Sequence, residues 1–248
     1  GITPECTERA AALYETVCDR VVRLSGPEAA ELSKLLENIF RSVNIALVNE
    51  LAQLCDRLDV DVWEVVEAAS TKPFGFMPFE PGPGMGGHCL PIDPFYLAFT
   101  ARQNDFYPEF IELAGKINKS QPRFCVSRIE RILNGEGKPV KGSKILILGV
   151  SYKAGIGDIR ESPALKIIRL LGELGADLSY HDPHVPELDE FGLKHTESLE
   201  PALENADLAV IVTNHPEVSL DTVVGKSQLL LDLRGVTRNH EGSRIERL

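Results

Sequence analysis

Cys89 is the residue of this chain best suited to covalent chemistry. The other four cysteines are most simply small buried hydrophobic residues, whereas Cys89 follows Gly86 and Gly87 in a loop of glycine and polar residues. Helical periodicity resumes after Pro94, which predicts a helix start near Cys89. A helix N-terminus favours the thiolate, the nucleophilic form of the thiol. Asp93 stands four residues further along the chain.

The loop that contains this cysteine covers residues 71–94 and holds six prolines and five glycines. A loop of this length either has a function or is a linker, and its aromatic residues argue against a linker. Gly86 and Gly87 would let the main chain approach a ligand closely. His88 adjoins Cys89, but consecutive side chains point in different directions. Because the chain shows no separate His and Asn signature, a cysteine hydrolase is the weaker interpretation.

A second group of polar residues lies on a long amphipathic helix predicted over residues 25–58. The helix opens with a capping-box spacing at 25–28, and apolar residues then recur at helical intervals for about thirty residues, on the order of 45 Å. This length predicts a helix that runs between domains or through a dimer interface. Lys34, Asn38 and Ser42 form a polar stripe, which is either a solvated face or a face turned towards a reaction site.

The second half of the chain alternates strands with helices, which predicts a doubly wound parallel α/β sheet with ligands at the carboxyl ends of its strands. The predicted strands are 144–149, 177–180, 208–213 and 228–233, and the predicted helices are 163–174 and 198–205. The turn after the first strand is neither GxGxxG nor a P-loop. Lys153 and Arg160 in this turn, with Arg234 after the last strand, suit a diphosphate; the alternative is ordinary surface cations. Asp182 could replace the ribose-binding acid of a dinucleotide site, but without the glycines an NAD site is not expected here.

Composition narrows the class of protein. The 248 residues include 26 Lys and Arg against 37 Asp and Glu, a formal charge of −11, which argues against nucleic acid as a partner. No stretch reaches the ~18 apolar residues of a membrane span, and no signal-like start is recognised. Five cysteines without a CxxC pair argue against a disulfide framework or zinc ribbon, so no metal site is predicted and a cytoplasmic location is favoured.

The first 25 residues predict a helix that starts at Thr3-Pro4 and a short strand at 20–24. An isolated strand is not stable. This strand is therefore expected either to join the C-terminal sheet or to close an upstream domain.

Three motifs in order resemble those of the UDP-glucose/GDP-mannose dehydrogenase family. They are Glu31-Leu-Ser-Lys34 to Asn38, Gly84-Met-Gly-Gly-His-Cys89 to Pro94, and Gly149-Val-Ser-Tyr-Lys153 with Asp158-Ile-Arg160-Glu-Ser-Pro163. The stretch that follows Ser70 looks most like the branch acting on UDP-N-acetylglucosamine; UDP-N-acetylmannosamine and UDP-glucose are the alternatives. The resemblance implies that residues 1–25 close an NAD-binding Rossmann domain, that 26–137 form a helical dimerisation domain with the catalytic cysteine loop, and that 138–248 form a Rossmann-like UDP-sugar-binding domain.

The resemblance also implies an activity, the four-electron oxidation of a UDP-sugar's C6 alcohol to a carboxylate by two NAD⁺, for surface polysaccharide precursors. Cys89 would attack the aldehyde and carry a thiohemiacetal and then a thioester. Lys34 and Asn38 would stabilise the oxyanion, and Asp93 would position water or accept a proton. The residues that would bind the UDP-sugar are Phe79, Gly86, Tyr152, Lys153 and Arg234.

Two family features are missing from this chain. The predicted strands are not followed by an NAD-binding glycine fingerprint, and the upstream acidic residues that the family uses for thioester hydrolysis are not found. We therefore expect the chain alone to be inactive, and to form a homodimer through the long helix. The competing hypothesis is a nucleotide-sugar binding module without redox activity, although a pure binder has no need to combine Cys89, Lys34 and Asn38.

Overall fold

The computed structural model of this protein describes residues 1–188, 191–240 and 244–248. Within these ranges the chain forms eight helices and six strands, with five helices before the first strand. The helices are α1 (Pro4–Tyr14), α2 (Pro27–Leu58), α3 (Val62–Ser70), α4 (Cys89–Gln103), α5 (Glu109–Gly135), α6 (Pro163–Glu173), α7 (Leu199–Asn205) and α8 (Leu220–Lys226). The strands are β1 (Lys144–Leu148), β2 (Asp177–His181), β3 (Lys194–His195), β4 (Leu208–Ile211), β5 (Leu229–Asp232) and β6 (Arg244–Arg247). The expected order, a helical region followed by an α/β sheet, is confirmed.

The N-terminal segment is only partly as predicted. Helix α1 forms, and the Thr3 hydroxyl accepts the backbone N–H of Cys6 over 3.2 Å as an N-cap. Residues 20–24 are described and form no strand, so that prediction is wrong. Neither edge strand of the sheet, β3 or β6, pairs with them, and an unpaired strand leaves its backbone groups without hydrogen bonds. Arg23 instead binds the carboxylate of Glu8.

Helix α2 has the predicted extent, but its start and its polar face differ from expectation. The N-cap is Gly26, which has no side chain, so the capping box predicted at 25–28 does not form. Asn38 and Ser42 are buried while Lys34 is exposed, so the solvated-face interpretation fails for two of the three stripe residues. α2 packs along α5 and α4. The stripe therefore faces protein, on the side where α4 begins.

The second half of the chain is a parallel sheet with strand order β3-β2-β1-β4-β5-β6. This order is that of a doubly wound dinucleotide-binding fold. The strand order reverses between β1 and β4, and the reversal leaves a crevice at the carboxyl ends of these two strands. The predicted strands and helices of this half are confirmed with ends shifted by up to two residues, whereas α8, β3 and β6 were not predicted. Ser162 caps α6, accepting the Ala164 N–H over 3.3 Å.

The helical region and the sheet share one hydrophobic core. Ile129 and Leu133 of α5 are fully buried in the same cluster as Ile147 of β1. Trp63 of α3 joins them and packs on Gly235, whose φ of +62° and missing Cβ leave room for the indole. This shared packing fixes the helices against the sheet. The domain boundaries after residues 25 and 137 stay predictions. No helix among the described residues is long and apolar enough to cross a membrane.

Replacing Leu171 of α6 with Ala should lower the free energy of unfolding by about 2–5 kcal/mol, because it leaves a cavity in this core. Leu171 is 0% exposed, whereas Leu174, just beyond the same helix, is 40% exposed. The matched Leu174→Ala change should therefore stay within about 0.5 kcal/mol. Urea denaturation measures the unfolding free energy of both variants. Equal losses of stability would contradict the packing of α6 described above.

Candidate active site

One side-chain amide joins the polar stripe of α2 to α4. Asn38 is buried, and its Nδ2 donates to Asp93 Oδ2 over 2.9 Å. Its Oδ1 accepts from Lys34 Nζ and from Arg41 Nη2, both at 3.1 Å. This orientation of the amide satisfies both of its ends, because its carbonyl oxygen faces two cations and its amino group faces a carboxylate. The structure thus brings together Lys34, Asn38 and Asp93, three of the residues predicted from sequence.

Arg41 is a member of this group that sequence reasoning missed. Its guanidinium also donates to Glu37 Oε1 over 2.9 Å, so the arginine lies between an acid and the amide of Asn38. The i, i+3 spacing from Asn38 was the available signal. That spacing alone did not show that the amide is buried and needs donors.

Cys89 begins α4 and is free and exposed. The predicted helix start is confirmed. Asp93 follows one helical turn later on the same face, and Asn38 binds it. The thiol therefore lies one turn from the group formed by Lys34, Asn38 and Asp93. It also lies at a helix N-terminus, where the first backbone N–H groups have no partner within the helix.

Cys55 and Cys125 are buried as expected. Cys6 and Cys18 are exposed, so the expectation of four buried cysteines is wrong for these two.

The glycines before the cysteine carry the backbone directly over Tyr152. A Cβ at Gly86 would lie 2.6 Å from Tyr152 Cβ and 3.0 Å from the carbonyl oxygen of Glu161. At Gly87, with φ +88°, it would lie 3.0 Å from the tyrosine ring, and the Gly87 N–H donates to the Arg160 carbonyl over 3.0 Å. The space beside their α-carbons is filled by the turn after β1. Packing on this turn therefore accounts for the missing side chains, and a ligand contact of the Gly86 backbone stays a prediction.

A buried chain of amides holds the other end of this loop. Gly82 N donates to Asn49 Oδ1 over 2.9 Å, and Asn49 Nδ2 donates to Asn118 Oδ1 over 3.0 Å. Asn118 Nδ2 in turn donates to the backbone carbonyl of Ser42 over 3.0 Å. This series of hydrogen bonds links α2 and α5 to the loop of residues 71–94, which we call the glycine-rich loop. Sequence reasoning did not find these bonds. The sequence signal for them was an asparagine in each of two long helices, at positions where the periodic pattern calls for an apolar residue.

Arg234 lies where the glycine-rich loop meets the carboxyl end of the sheet. Its Nε donates to the Val212 carbonyl and its backbone N–H to Asp232 Oδ1, each over 2.8 Å. A Cβ at Gly82 would lie 3.2 Å from Arg234 Nη1. Burial lowers the pKa of the guanidinium from its ordinary value. A charge held with so little solvent around it favours an anionic ligand.

The other predicted binding residues differ in whether the protein already occupies their side chains. Lys153 is exposed in the turn after β1. Arg160 donates to both carboxylate oxygens of Asp158, and this bond lowers the pKa of the Asp158 carboxyl to about 2. The charge of Arg160 is therefore compensated within the turn. Phe79 packs edge-to-face on Phe40 of α2, with ring centroids 5.8 Å apart.

A cavity of about 20 Å³, room for about one water molecule, lies between α2, the glycine-rich loop, α4, α5 and the start of α6. Its lining includes Ser42, Met85, Leu90, Phe95, Asn118 and Pro163. Leu90 follows Cys89 in the chain, so the cavity adjoins the first turn of α4. Its walls are mostly apolar, and Cys89 itself is not among the residues that line it.

Asp182 follows β2 and is fully buried. It accepts the backbone N–H groups of Val150, Ser151 and His184, and it contacts the ring of His215 at 3.1 Å. Burial opposes its ionisation, but the hydrogen bond with His215 and those from the three amides hold its pKa below the ordinary value. A carboxylate in this position cannot reach a ribose. The suggested ribose-binding role is therefore excluded.

The described residues do not form a recognisable NAD site. The turn after β1 lacks the glycine fingerprint, and the acid after β2 is occupied by the protein. Gly82, Gly84 and Gly87 do have GxGxxG spacing, but they follow no strand, and that context is required. We therefore place no step of the chemistry on a cofactor held by these residues.

Three side chains have the composition of a metal site. Ligand atoms of His184, His215 and Glu217 lie within 4.8 Å of one another. His215 Nδ1, however, accepts the Gly155 N–H over 3.2 Å, and its Nε2 contacts Asp182. Both ring nitrogens are thus committed to the protein. Within the described residues this group is a hydrogen-bonded cluster.

Gly86→Ala should lower the free energy of unfolding by about 1–3 kcal/mol, because the new Cβ overlaps Tyr152 and must displace backbone. Gly172→Ala is the matched control, since nothing lies within 4 Å of a Cβ built there, inside α6. It should instead be neutral or stabilise by up to about 1 kcal/mol. Denaturant unfolding measures the change in unfolding free energy for both variants. A Gly86→Ala protein as stable as the parent would disprove the close approach of Gly86 to Tyr152.

Two family models match the chain. Residues 28–120 match the central domain of the UDP-glucose/GDP-mannose dehydrogenase family, and residues 146–239 match its UDP binding domain. Cys89 and the group formed by Lys34, Asn38 and Asp93 fall in the first match. Lys153 and Arg234 fall in the second.

Individual relatives agree with the family models. An NDP-N-acetyl-D-galactosaminuronic acid dehydrogenase of Ralstonia solanacearum is 36% identical over 95% of this chain and 55% of its own length. A UDP-N-acetyl-D-mannosamine dehydrogenase of Campylobacter jejuni is 35% identical over 90% of this chain and 55% of its own length. The structure of a UDP-D-ManNAc dehydrogenase from Pyrococcus horikoshii gives a TM-score of 0.86 at 32% identity, covering 100% of this chain and 58% of that one. The chain thus spans 55% of the length of the curated relatives named here. It belongs to the UDP-glucose/GDP-mannose dehydrogenase family, of which it carries the central and UDP-binding domains.

Proposed function

We propose that this chain is the substrate-binding and covalent-catalysis part of an NAD-dependent nucleotide-sugar 6-dehydrogenase. The observation that supports this most is the hydrogen bond between Asn38 Nδ2 and Asp93 Oδ2. It joins two helices so that an ammonium, an amide and a carboxylate lie one helical turn from an exposed thiol. A domain that only binds nucleotide-sugars has no need of this combination.

The proposed reaction on Cys89 starts from the C6 aldehyde of the bound sugar. The thiolate adds to the aldehyde carbon, the C–S bond forms, and the carbonyl electron pair becomes an oxyanion. We expect Lys34 and Asn38 to stabilise it. An ammonium carries three donors and an amide nitrogen two, and each uses one within the group. Loss of hydride from the thiohemiacetal leaves a thioester. Water then hydrolyses it, with Asp93 positioning the water or accepting its proton.

NAD⁺ is the hydride acceptor that we propose for both oxidation steps. The described residues do not fit an NAD site, so the cofactor must be bound elsewhere in the whole enzyme. The 248 residues alone should therefore not oxidise substrate.

The nucleotide part of the substrate is assigned to the crevice at the carboxyl ends of β1, β4 and β5. Lys153 and Arg234 carry the positive charge expected around a diphosphate. Tyr152 and Phe79 would line the binding site, and the backbone of Gly86 would contribute polar groups. The tyrosine packs beneath the same glycines that lead to Cys89, and this packing supports a nucleotide bound close to the thiol.

We infer that the sugar is an N-acetylated hexosamine linked to UDP. The loop after Ser70 favours UDP-N-acetylglucosamine, and UDP-N-acetylmannosamine fits the relatives equally well. The product, a UDP-linked uronic acid, would serve surface polysaccharide synthesis in the cytoplasm.

We also propose that α2 forms a homodimer interface. Large apolar side chains lie exposed along one side of this helix at intervals of four or seven residues: Leu32, Leu36, Phe40, Leu47, Leu54 and Leu58. A row of this length on a monomer is a typical protein interaction surface.

Light scattering at micromolar concentration should give the mass of a dimer. Leu47→Glu combined with Leu54→Glu should give a monomer, since two carboxylates would be buried without partners. The control Leu174→Glu changes an exposed leucine away from α2 and should leave the dimer intact. A monomeric parent protein would contradict the proposed interface.

UDP should bind this chain in calorimetry, and NAD⁺ should not. Lys153→Met should weaken UDP binding about tenfold, because it removes a cation from the diphosphate. Lys226→Met is the matched control, since Lys226 pairs with Glu200 and Glu204 on another face. Tight binding of NAD⁺, or equal UDP affinity for both variants, would contradict the assignment.

In a full-length enzyme with an NAD-binding domain, Cys89→Ser should reduce carboxylate formation from the UDP-sugar at least about a hundredfold, because a hydroxyl is a far weaker nucleophile at neutral pH. Cys18→Ser, which alters another exposed thiol, should be unaffected. Steady-state NADH production with product analysis measures both. Unchanged carboxylate production by Cys89→Ser would refute the covalent step.

A further inference from the structure

A fully buried polar cluster lies behind the turn that carries Lys153. Ser151, Asp182 and His215 are at most 1% exposed, and they come from the turn after β1, from the end of β2 and from the segment after β4. Burying three such groups is costly unless each is hydrogen-bonded. Their partners are almost all in residues 150–155.

The first anchor of this turn is a single carboxylate oxygen. Asp182 Oδ2 accepts the N–H groups of Val150 and Ser151 over 2.8 and 3.0 Å. Two donors on one carboxylate oxygen fix the backbone of both residues where the chain leaves β1. The Thr213 hydroxyl adds a third bond, donating to the Ser151 carbonyl over 2.7 Å.

The second anchor is His215, and its hydrogen bonds define its protonation. Nδ1 accepts the Gly155 N–H over 3.2 Å, so Nδ1 carries no proton. The ring proton is therefore on Nε2, which lies 3.0 Å from Ser151 Oγ and 3.1 Å from Asp182 Oδ2. The Ser151 hydroxyl donates its own proton to the Lys153 carbonyl over 3.1 Å, so towards His215 it is an acceptor. With this arrangement every donor of the cluster meets an acceptor.

Lys153 itself contacts neither anchor through its side chain. The turn is held before it at Val150 and Ser151, at its own carbonyl, and after it at Gly155. We propose that Asp182 and His215 are positioning residues for diphosphate binding, which fix the backbone on both sides of Lys153 so that its ammonium is presented to the nucleotide. This inference rests on the assignment of Lys153 to UDP made above.

A double-mutant cycle on this chain tests the proposal. His215→Gln keeps an amide near the position of Nε2 but loses the acceptor for Gly155, whereas His215→Asn keeps an oxygen near the position of Nδ1. His215→Gln should weaken UDP binding about tenfold, and His215→Asn should restore most of this loss. In the Lys153→Met background, His215→Gln should cost at most about a further twofold, because the lysine it positions is gone. Affinity for uridine, which has no phosphate, should not change.

Hydrogen exchange supplies a readout that does not depend on UDP. The Gly155 amide should be protected in the parent protein, exposed in His215→Gln and protected again in His215→Asn. His240→Gln is the matched control, because this histidine of the same domain pairs with Asp221 and should change neither readout.

Four results would overturn the proposal. Equal UDP affinity of His215→Gln and the parent would reject it and leave the proposed function standing, as would additive losses in the cycle, which indicate general damage. An unprotected Gly155 amide in the parent would reject the second anchor. A parent chain that binds no UDP would reject the proposed function, and this inference with it.

Discussion

The contact between the Gly86 backbone and Tyr152 is the constraint on which the rest of the site depends. It leaves no room for a Cβ, and the neighbouring Gly87 N–H is bonded to the turn after β1. Cys89 begins its helix two residues later, so the position of the thiol is set by the edge of a sheet that belongs to the other half of the chain. The carboxyl edge of the sheet and the Cys89 thiol therefore form one structural unit.

Neutral amides do much of the remaining positioning. Asn38 connects α2 to α4, while Asn49 and Asn118 connect α2 and α5 to the start of the glycine-rich loop. An amide can donate and accept at once, so it can bridge two elements without burying a net charge. Lys34 and Lys153 are exposed on a chain whose overall charge is −11, which makes them local exceptions to an acidic protein.

The sequence predicted the elements that depend on local spacing. Helix α2, the helix start at Cys89 and the four central strands follow from periodicity and from the turn residues beside them. The strand predicted at 20–24 failed because a strand depends on a partner that local sequence does not specify. The two-residue β3 and the short edge strand β6 were missed for the same reason.

Within the site, residue types could be predicted but not their partners. Gly86 must lack a side chain because it packs on Tyr152, 66 positions later in the chain. Asp182 follows β2, whereas its partner His215 lies in the segment after β4. Such pairs are fixed only when the sheet assembles. Arg41 and Asn118 have no motif of their own, so only the hydrogen bonds they make mark them as part of the site.

A crystal structure of this chain with UDP-N-acetylglucosamine bound would test the central claim most directly, namely that one surface holds the nucleotide and the thiol in register. The account predicts the diphosphate beside Lys153 and Arg234, with the sugar's C6 about 3.5 Å from Cys89 Sγ, as a reacting pair requires. A diphosphate bound at another edge of the sheet, or a C6 turned away from α4 towards solvent, would contradict it.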